Sequence, residues 1–233
     1  MILHRLEGQL FEEIVPLLEI NSARGKLINI DTLDGAGNST QAALLARYLR
    51  ERGLDVVLTA EPTDKEDGEY GKAIRRILQK ERTLPPLPLQ QLYCVDRGDH
   101  LDRLILPALN RGDWVLTARY SLSTLAYGMA SGVPAWQLLA MNVGYPWPNL
   151  NIVLVVPVEE CLSRIEERKK GKELFESALF LRKTLEAYHC LAGKLPCVEL
   201  VSGVGTEEEV ATHVRQLVDR WFFLSPAKSN PSP

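Results

Sequence analysis

Leu27-Ile28-Asn29-Ile30-Asp31 leads into Asp34-Gly35-Ala36-Gly37-Asn38-Ser39-Thr40-Gln41, and a helical pattern from Gln41 to Arg52 leads out. An apolar strand, a glycine-rich turn and a helix, in that order, separate a phosphate-cradling P-loop from a chance glycine cluster. In such a loop, successive backbone N–H groups wrap phosphate oxygens, and the helix N-terminus adds partial positive charge. The full pattern is Gly, four residues, then Gly-Lys-Ser/Thr. Here Thr32 stands at the first glycine and Asn38 at the lysine. The phosphate-binding set is therefore Gly35, Ala36, Gly37, Asn38, Ser39 and Thr40. Gly35 and Gly37 allow close backbone approach, Ser39 is the candidate Mg²⁺ ligand, and Thr40 reaches a phosphate. Asn38 donates hydrogen bonds but carries no charge. Losing a charge-assisted contact in a desolvated site costs about 2–4 kcal/mol of transition-state stabilisation. That is roughly 30- to 1000-fold in rate.

Outward from the loop, strands and helices alternate. Strands are expected at 54–59, 113–117, 150–156 and 197–201, after the first at 27–31. Helices are expected at 68–79, 89–110, 159–170, 175–192 and 206–221, with two short ones flanking Gly132 and Pro134. This order predicts an α/β fold: a five-stranded parallel sheet covered by helices on both faces. Ligands then sit at the carboxyl ends of the strands. Leu3, Leu6, Leu10, Phe11 and Ile14 recur at helical spacing before Pro16. Residues 1–25 thus read as a helical extension that caps the core or makes a dimer contact. Residues 26–223 form the main domain, and 224–233 a polar, proline-rich, disordered tail.

The composition is that of a globular chain: 45% hydrophobic and 24% charged over 233 residues. A net charge of −3 gives no electrostatic case for nucleic-acid or membrane binding. No apolar run reaches the ~18–20 residues of a membrane span. Cys94, Cys161, Cys190 and Cys197 form no Cys-x-x-Cys pair, so reduced, mostly buried thiols and a cytoplasmic location are expected.

Four signals then fall in order: Asp34-Gly35-Ala36-Gly37-x-Ser39-Thr40-Gln41, Glu61-Pro62-Thr63, Asp96-Arg97, and Arg119-Tyr120-x-x-Ser123-x-x-Ala126-Tyr127. In order and spacing they resemble the thymidylate kinases over about residues 26–222. The resemblance implies a P-loop nucleoside monophosphate kinase-like fold with a short lid, and transfer of the ATP γ-phosphoryl group to dTMP with Mg²⁺. It places Asp34, Glu61, Pro62, Tyr93, Arg97, Arg119, Ser123, Thr124 and Tyr127 around dTMP. Tyr93 would stack on thymine; the alternative is a core tyrosine. Arg97, on the same helical face, would bond a thymine carbonyl; the alternative is an ion pair with Asp96 or Asp99. Arg119 would hold the monophosphate through a bidentate contact. Ser123 and Thr124 are expected in a polar turn beside the acceptor. Tyr127 would pack near the 2′ carbon of the sugar, and Asp34 near its sugar and phosphate. Arg168, Lys169, Lys170 and Lys172 around Gly171 resemble the lid that brings a cation to the transferred group. The catalytic set is then Arg119, Lys170 and Lys172, with ATP and dTMP as small-molecule partners and a homodimer implied.

The departures cluster. Besides Thr32 and Asn38, Ala60 replaces the arginine usual before Glu61-Pro62, Ala118 the aspartate usual before Arg119, and Gly128 the glutamine usual after Tyr127. Charge-handling positions are eroded while base-reading positions remain. Two readings follow: a slow thymidylate kinase, or an inactive pseudokinase that binds nucleotide and acts through a partner. A third keeps the catalysis and changes the acceptor to another pyrimidine monophosphate.

Overall fold

The computed structural model describes residues 2–63, 68–167, 173–175 and 177–224. Strands β1 (Leu27–Thr32), β2 (Val56–Ala60), β3 (Trp114–Ala118), β4 (Leu150–Val155) and β5 (Val198–Ser202) form one sheet in the order β2-β3-β1-β4-β5. Every pairing is parallel. β1 is central and buried along its whole length, as its apolar run requires. Its register sets Ile30 beside Ala118 on one side and Ile152 on the other. The glycine loop and Arg119 therefore emerge side by side at the carboxyl edge.

One face is covered by α2 (Asn38–Glu51) and α10 (Glu207–Phe222), whose Leu45, Leu49, Val214 and Leu217 pack on Ile28, Ile30 and Ile152. The other face carries α4 (Pro86–His100), α5 (Leu106–Arg111), α6 (Ser121–Ala130) and α9 (Ala178–Ala192). α3 (Glu69–Leu78) packs on α4, α7 (Ala135–Ala140) on α6, and α8 (Val158–Glu167) on α9. No helix described is long and apolar enough to cross a membrane.

Helix α1 (Ile2–Ile14) ends in a short 3-10 turn holding Pro16 and lies against α7 with Phe11 buried. The chain that follows is tied in at the amino edge of the sheet through Asn149. Asn149 Oδ1 accepts from Asn21 Nδ2 at 2.8 Å and from the Leu27 amide at 2.9 Å. Its Nδ2 donates to Asn21 O at 2.8 Å, and its own carbonyl accepts from Trp221 Nε1 at 3.0 Å. Residues 18–25 are thus an integral part of that edge.

Four expectations need correction. The helix read as continuous from 89 to 110 starts at Pro86 and carries a π-helical turn at Leu101–Ile105. Pro107 explains it: in a straight α-helix its ring would meet the Arg103 carbonyl, and the wider turn relieves that clash. Ser123 and Thr124 lie inside α6 rather than in a turn. The turn is made earlier, by Arg119 at φ 74° and an extended Tyr120. Helix α9 begins at Ala178, where the Ser177 hydroxyl accepts the Phe180 amide at 3.3 Å. Of the four free thiols only Cys94 and Cys161 are buried, and Cys190 is exposed. Burial pushes the Cys161 thiol up to about 11 and makes it unreactive.

Candidate functional site

The glycine loop is built on two left-handed residues, Gly35 at φ 84° and Gly37 at φ 87°. A β-carbon on Gly35 would lie 2.6 Å from the Cys161 carbonyl, so the position requires glycine on space as well as conformation. Gly37 precedes α2 and its carbonyl accepts the Gln41 amide at 3.0 Å. Gly35, Ala36, Gly37 and Thr40 line a cleft of about 550 Å³ with Arg164 of α8 and the 203–207 turn. Asn38 does not reach forward as a lysine would. Its Oδ1 accepts the Ser39 amide at 2.8 Å and lies 3.5 Å from Ser39 Oγ. One loop N–H and the candidate metal ligand are therefore both engaged by the substituted side chain. Ser39 also borders a second space of about 320 Å³ lined by Ala60, Ala118 and Arg75. The positions of two of the three missing charges, Ala60 and Ala118, thus meet at one side of the loop.

On the other side, Asp34, Glu61, Pro62, Tyr93, Arg97, Arg119, Ser123, Thr124 and Tyr127 line a single pocket. All nine residues singled out for the acceptor in the sequence come together there. Lys170 and Lys172 lie outside the described residues. Arg119 donates to Asp34 Oδ1 at 2.6 Å and to Ser123 Oγ at 3.2 Å. Its Cζ sits 5.0 Å from the Tyr127 ring centre. Burial works against its charge, but Tyr127, Asp34, Tyr188 and Asp31 hold its pKa well above that of ordinary arginine. Its left-handed backbone costs about 1–2 kcal/mol, sustained by these contacts.

Arg97 is fully buried and pairs with neither Asp96 nor Asp99. Asp96 instead accepts the Thr63 amide at 2.8 Å, and Asp99 pairs with Arg103. Arg97 Nη2 donates to Glu61 Oε2 at 2.7 Å and to Thr124 Oγ1 at 3.0 Å, and Nη1 to Asn142 Oδ1 at 2.5 Å. Burial opposes its charge, yet Glu61 foremost among its neighbours keeps its pKa above the ordinary value. Glu61 also faces His100 Nδ1 at 3.4 Å, and His100 Nε2 lies 2.7 Å from Thr59 Oγ1. Two aromatic residues of the lining belong to one ring cluster: Tyr127 meets Phe175 edge-on at 5.4 Å, and Phe175 stacks on Phe180 at 4.8 Å.

Several residues of the site were not read from the sequence. Asp31, next to last in β1, is fully buried and accepts from Asn29 at 2.7 Å, Tyr188 at 3.1 Å and the Ser123 hydroxyl. Burial raises its pKa despite Arg119 and these donors. A carboxylate at the end of an apolar strand was the available signal. Gln90, Asn142 and Phe175 gave less. Gln90 lies one helical turn before Tyr93, but nothing in its own neighbourhood sets it apart.

A parallel 2-3-1-4-5 sheet, a glycine loop after its central strand and an adjoining buried pocket define a P-loop nucleoside monophosphate kinase fold. The thymidylate kinase family model matches residues 30–211. A probable thymidylate kinase of Pyrococcus horikoshii is 36% identical over 200 residues, spanning 84% of this chain and 96% of that protein. The thymidylate kinase of Desulfotalea psychrophila is 36% identical over 83% of this chain and 96% of its own length. That of Nitrosomonas europaea is 35% identical over 87% and 96%. The chain belongs to the thymidylate kinase family.

Proposed function

We propose that the protein transfers the γ-phosphoryl group of ATP to dTMP, slowly, with Mg²⁺. The reading rests on one observation: the nine-residue pocket and the loop cleft adjoin at Asp34–Gly35, with Arg119 beside Asp34. An acceptor phosphate bound to Arg119 and a donor phosphate in the loop would then be neighbours, and transfer is largely positioning and electrostatics. Mg²⁺ keeps most of its shell as water and phosphate oxygens. Ser39 is the side chain offered to it. When bound, the ion would offset charge on the phosphates; the loop amides and Arg119 hold them in place.

Slowness follows from the donor side. Asn38 adds no charge and engages Ser39. The acceptor pocket holds three carboxylates, Asp34, Glu61 and Glu173, against two guanidiniums, Arg97 and Arg119. That balance works against an incoming phosphate, so Arg119 carries its binding; the second reading, nucleotide binding without transfer, draws instead on the charge lost beside the loop at Asn38, Ala60 and Ala118.

The test is dTMP-dependent ADP formation by the native protein and by an Asn38→Lys/Ala118→Asp double variant. Slow native turnover, raised about 30- to 1000-fold in the double variant, is expected. Turnover in the variant alone would leave the pseudokinase reading standing. Calorimetry that detects no dTMP binding would remove both.

A further inference from the structure

Asp31 lies beside Arg119, yet it is fully buried and forms no part of the pocket lining. Its Oδ1 is 4.0 Å from Arg119 Nη1. Donors from three elements fix the carboxyl: Asn29 of β1 at 2.7 Å, Tyr188 of α9 at 3.1 Å, and the Ser123 hydroxyl of α6. Asn29 is held in turn by Asn151 of β4, whose Oδ1 accepts from it at 3.0 Å. Burying a carboxyl costs stability, and such costs gather at functional sites.

We propose that Asp31 is a positioning residue: through the Ser123 hydroxyl it keeps Arg119 aimed at the acceptor phosphate. The inference deepens the acceptor reading above and rests on it. A serine hydroxyl has one proton and two lone pairs. Ser123 gives its proton to Asp31, so a lone pair faces Arg119 Nη1, which donates to it at 3.2 Å. The Tyr188 hydroxyl also lies 3.3 Å from Ser123, a longer contact than the one to Asp31. Without the carboxyl oxygen, the hydroxyl is free to turn its proton toward the guanidinium, and the contact is lost. Asp34 holds Arg119 Nη2 at 2.6 Å from the other side, but it is partly exposed, and an arriving phosphate competes with it. The Ser123 contact is backed by a group the phosphate does not reach.

Calorimetric titration of dTMP and thymidine against native protein, Asp31→Leu, Asp31→Asn, Ser123→Ala and the Asp31→Leu/Ser123→Ala double variant tests this. Asp31→Leu removes the acceptor oxygen and should weaken dTMP about 10-fold while leaving thymidine, which has no phosphate, unchanged. Asp31→Asn keeps a carbonyl oxygen for Ser123 and should bind dTMP within about threefold of native. Ser123→Ala should match Asp31→Leu, and the double variant should lose no more than either, because the two residues act as one unit. Should Asp31→Leu not fold, Asp31→Val, shorter and strand-favouring, carries the same expectation. Unchanged dTMP affinity, equal weakening of dTMP and thymidine, or a further loss in the double variant would overturn the role of Asp31 while native dTMP binding upholds the acceptor site. Absence of dTMP binding to the native protein would overturn both.

Discussion

Arg97 shows what one side chain reveals on its own and what it withholds. Its helical position relative to Tyr93 is a local property and was legible. Its partners were not, because Glu61, Thr124 and Asn142 lie 36, 27 and 45 residues away and meet only in the fold. Asp31 is the complementary case, a carboxylate whose type was visible and whose burial was not. Its folded pKa is raised above 3.8, so the native state holds this proton more tightly than the unfolded chain does. That contribution is complete below 3.8 and is lost as pH rises through the folded value. Asp31→Asn, neutral at every pH, should therefore stabilise the protein relative to native at neutral pH. The advantage should shrink as pH falls toward 3.8. Urea unfolding at stepped pH measures it, and a pH-independent difference would contradict the assignment.

Elements were legible where their cause is local. The glycine loop, the five strands and most helices follow from apolar runs, turn residues and spacing, and each appears within a few residues of its expected place. The misplacements trace to geometry beyond local pattern. The π turn before Pro107 and the helical Ser123 and Thr124 both depend on backbone adjustments that periodicity does not encode. Helix α10 begins with a capping box in which Thr206 Oγ1 accepts the Glu209 amide at 3.3 Å and Glu209 Oε2 accepts the Thr206 amide at 2.8 Å. Thr206→Ala should cost about 1 kcal/mol, read as a lower urea midpoint with an unchanged slope. An unchanged midpoint would show that the box contributes nothing. Because Thr206 also lines the loop cleft, the cap places the start of α10 against the proposed donor nucleotide.

For the molecule as a whole, strand order was the least accessible property. Alternation predicts a parallel sheet, but the neighbours of β1 are set by crossovers between distant segments. The reach of the extension was equally hidden, since Asn21 and Asn149 are 128 residues apart. Asn149→Ala removes the bonds to Asn21 and Leu27 and should cost about 2–3 kcal/mol, or roughly 5–10 °C in melting temperature. Nucleotide affinity should stay native, because the change lies at the opposite edge from the loop; weakened dTMP binding would argue against that separation. The Asn149 junction also gives the sheet a mechanical polarity. It works like the spine of a book, with the first strand, the extension and the last helix bound together along it.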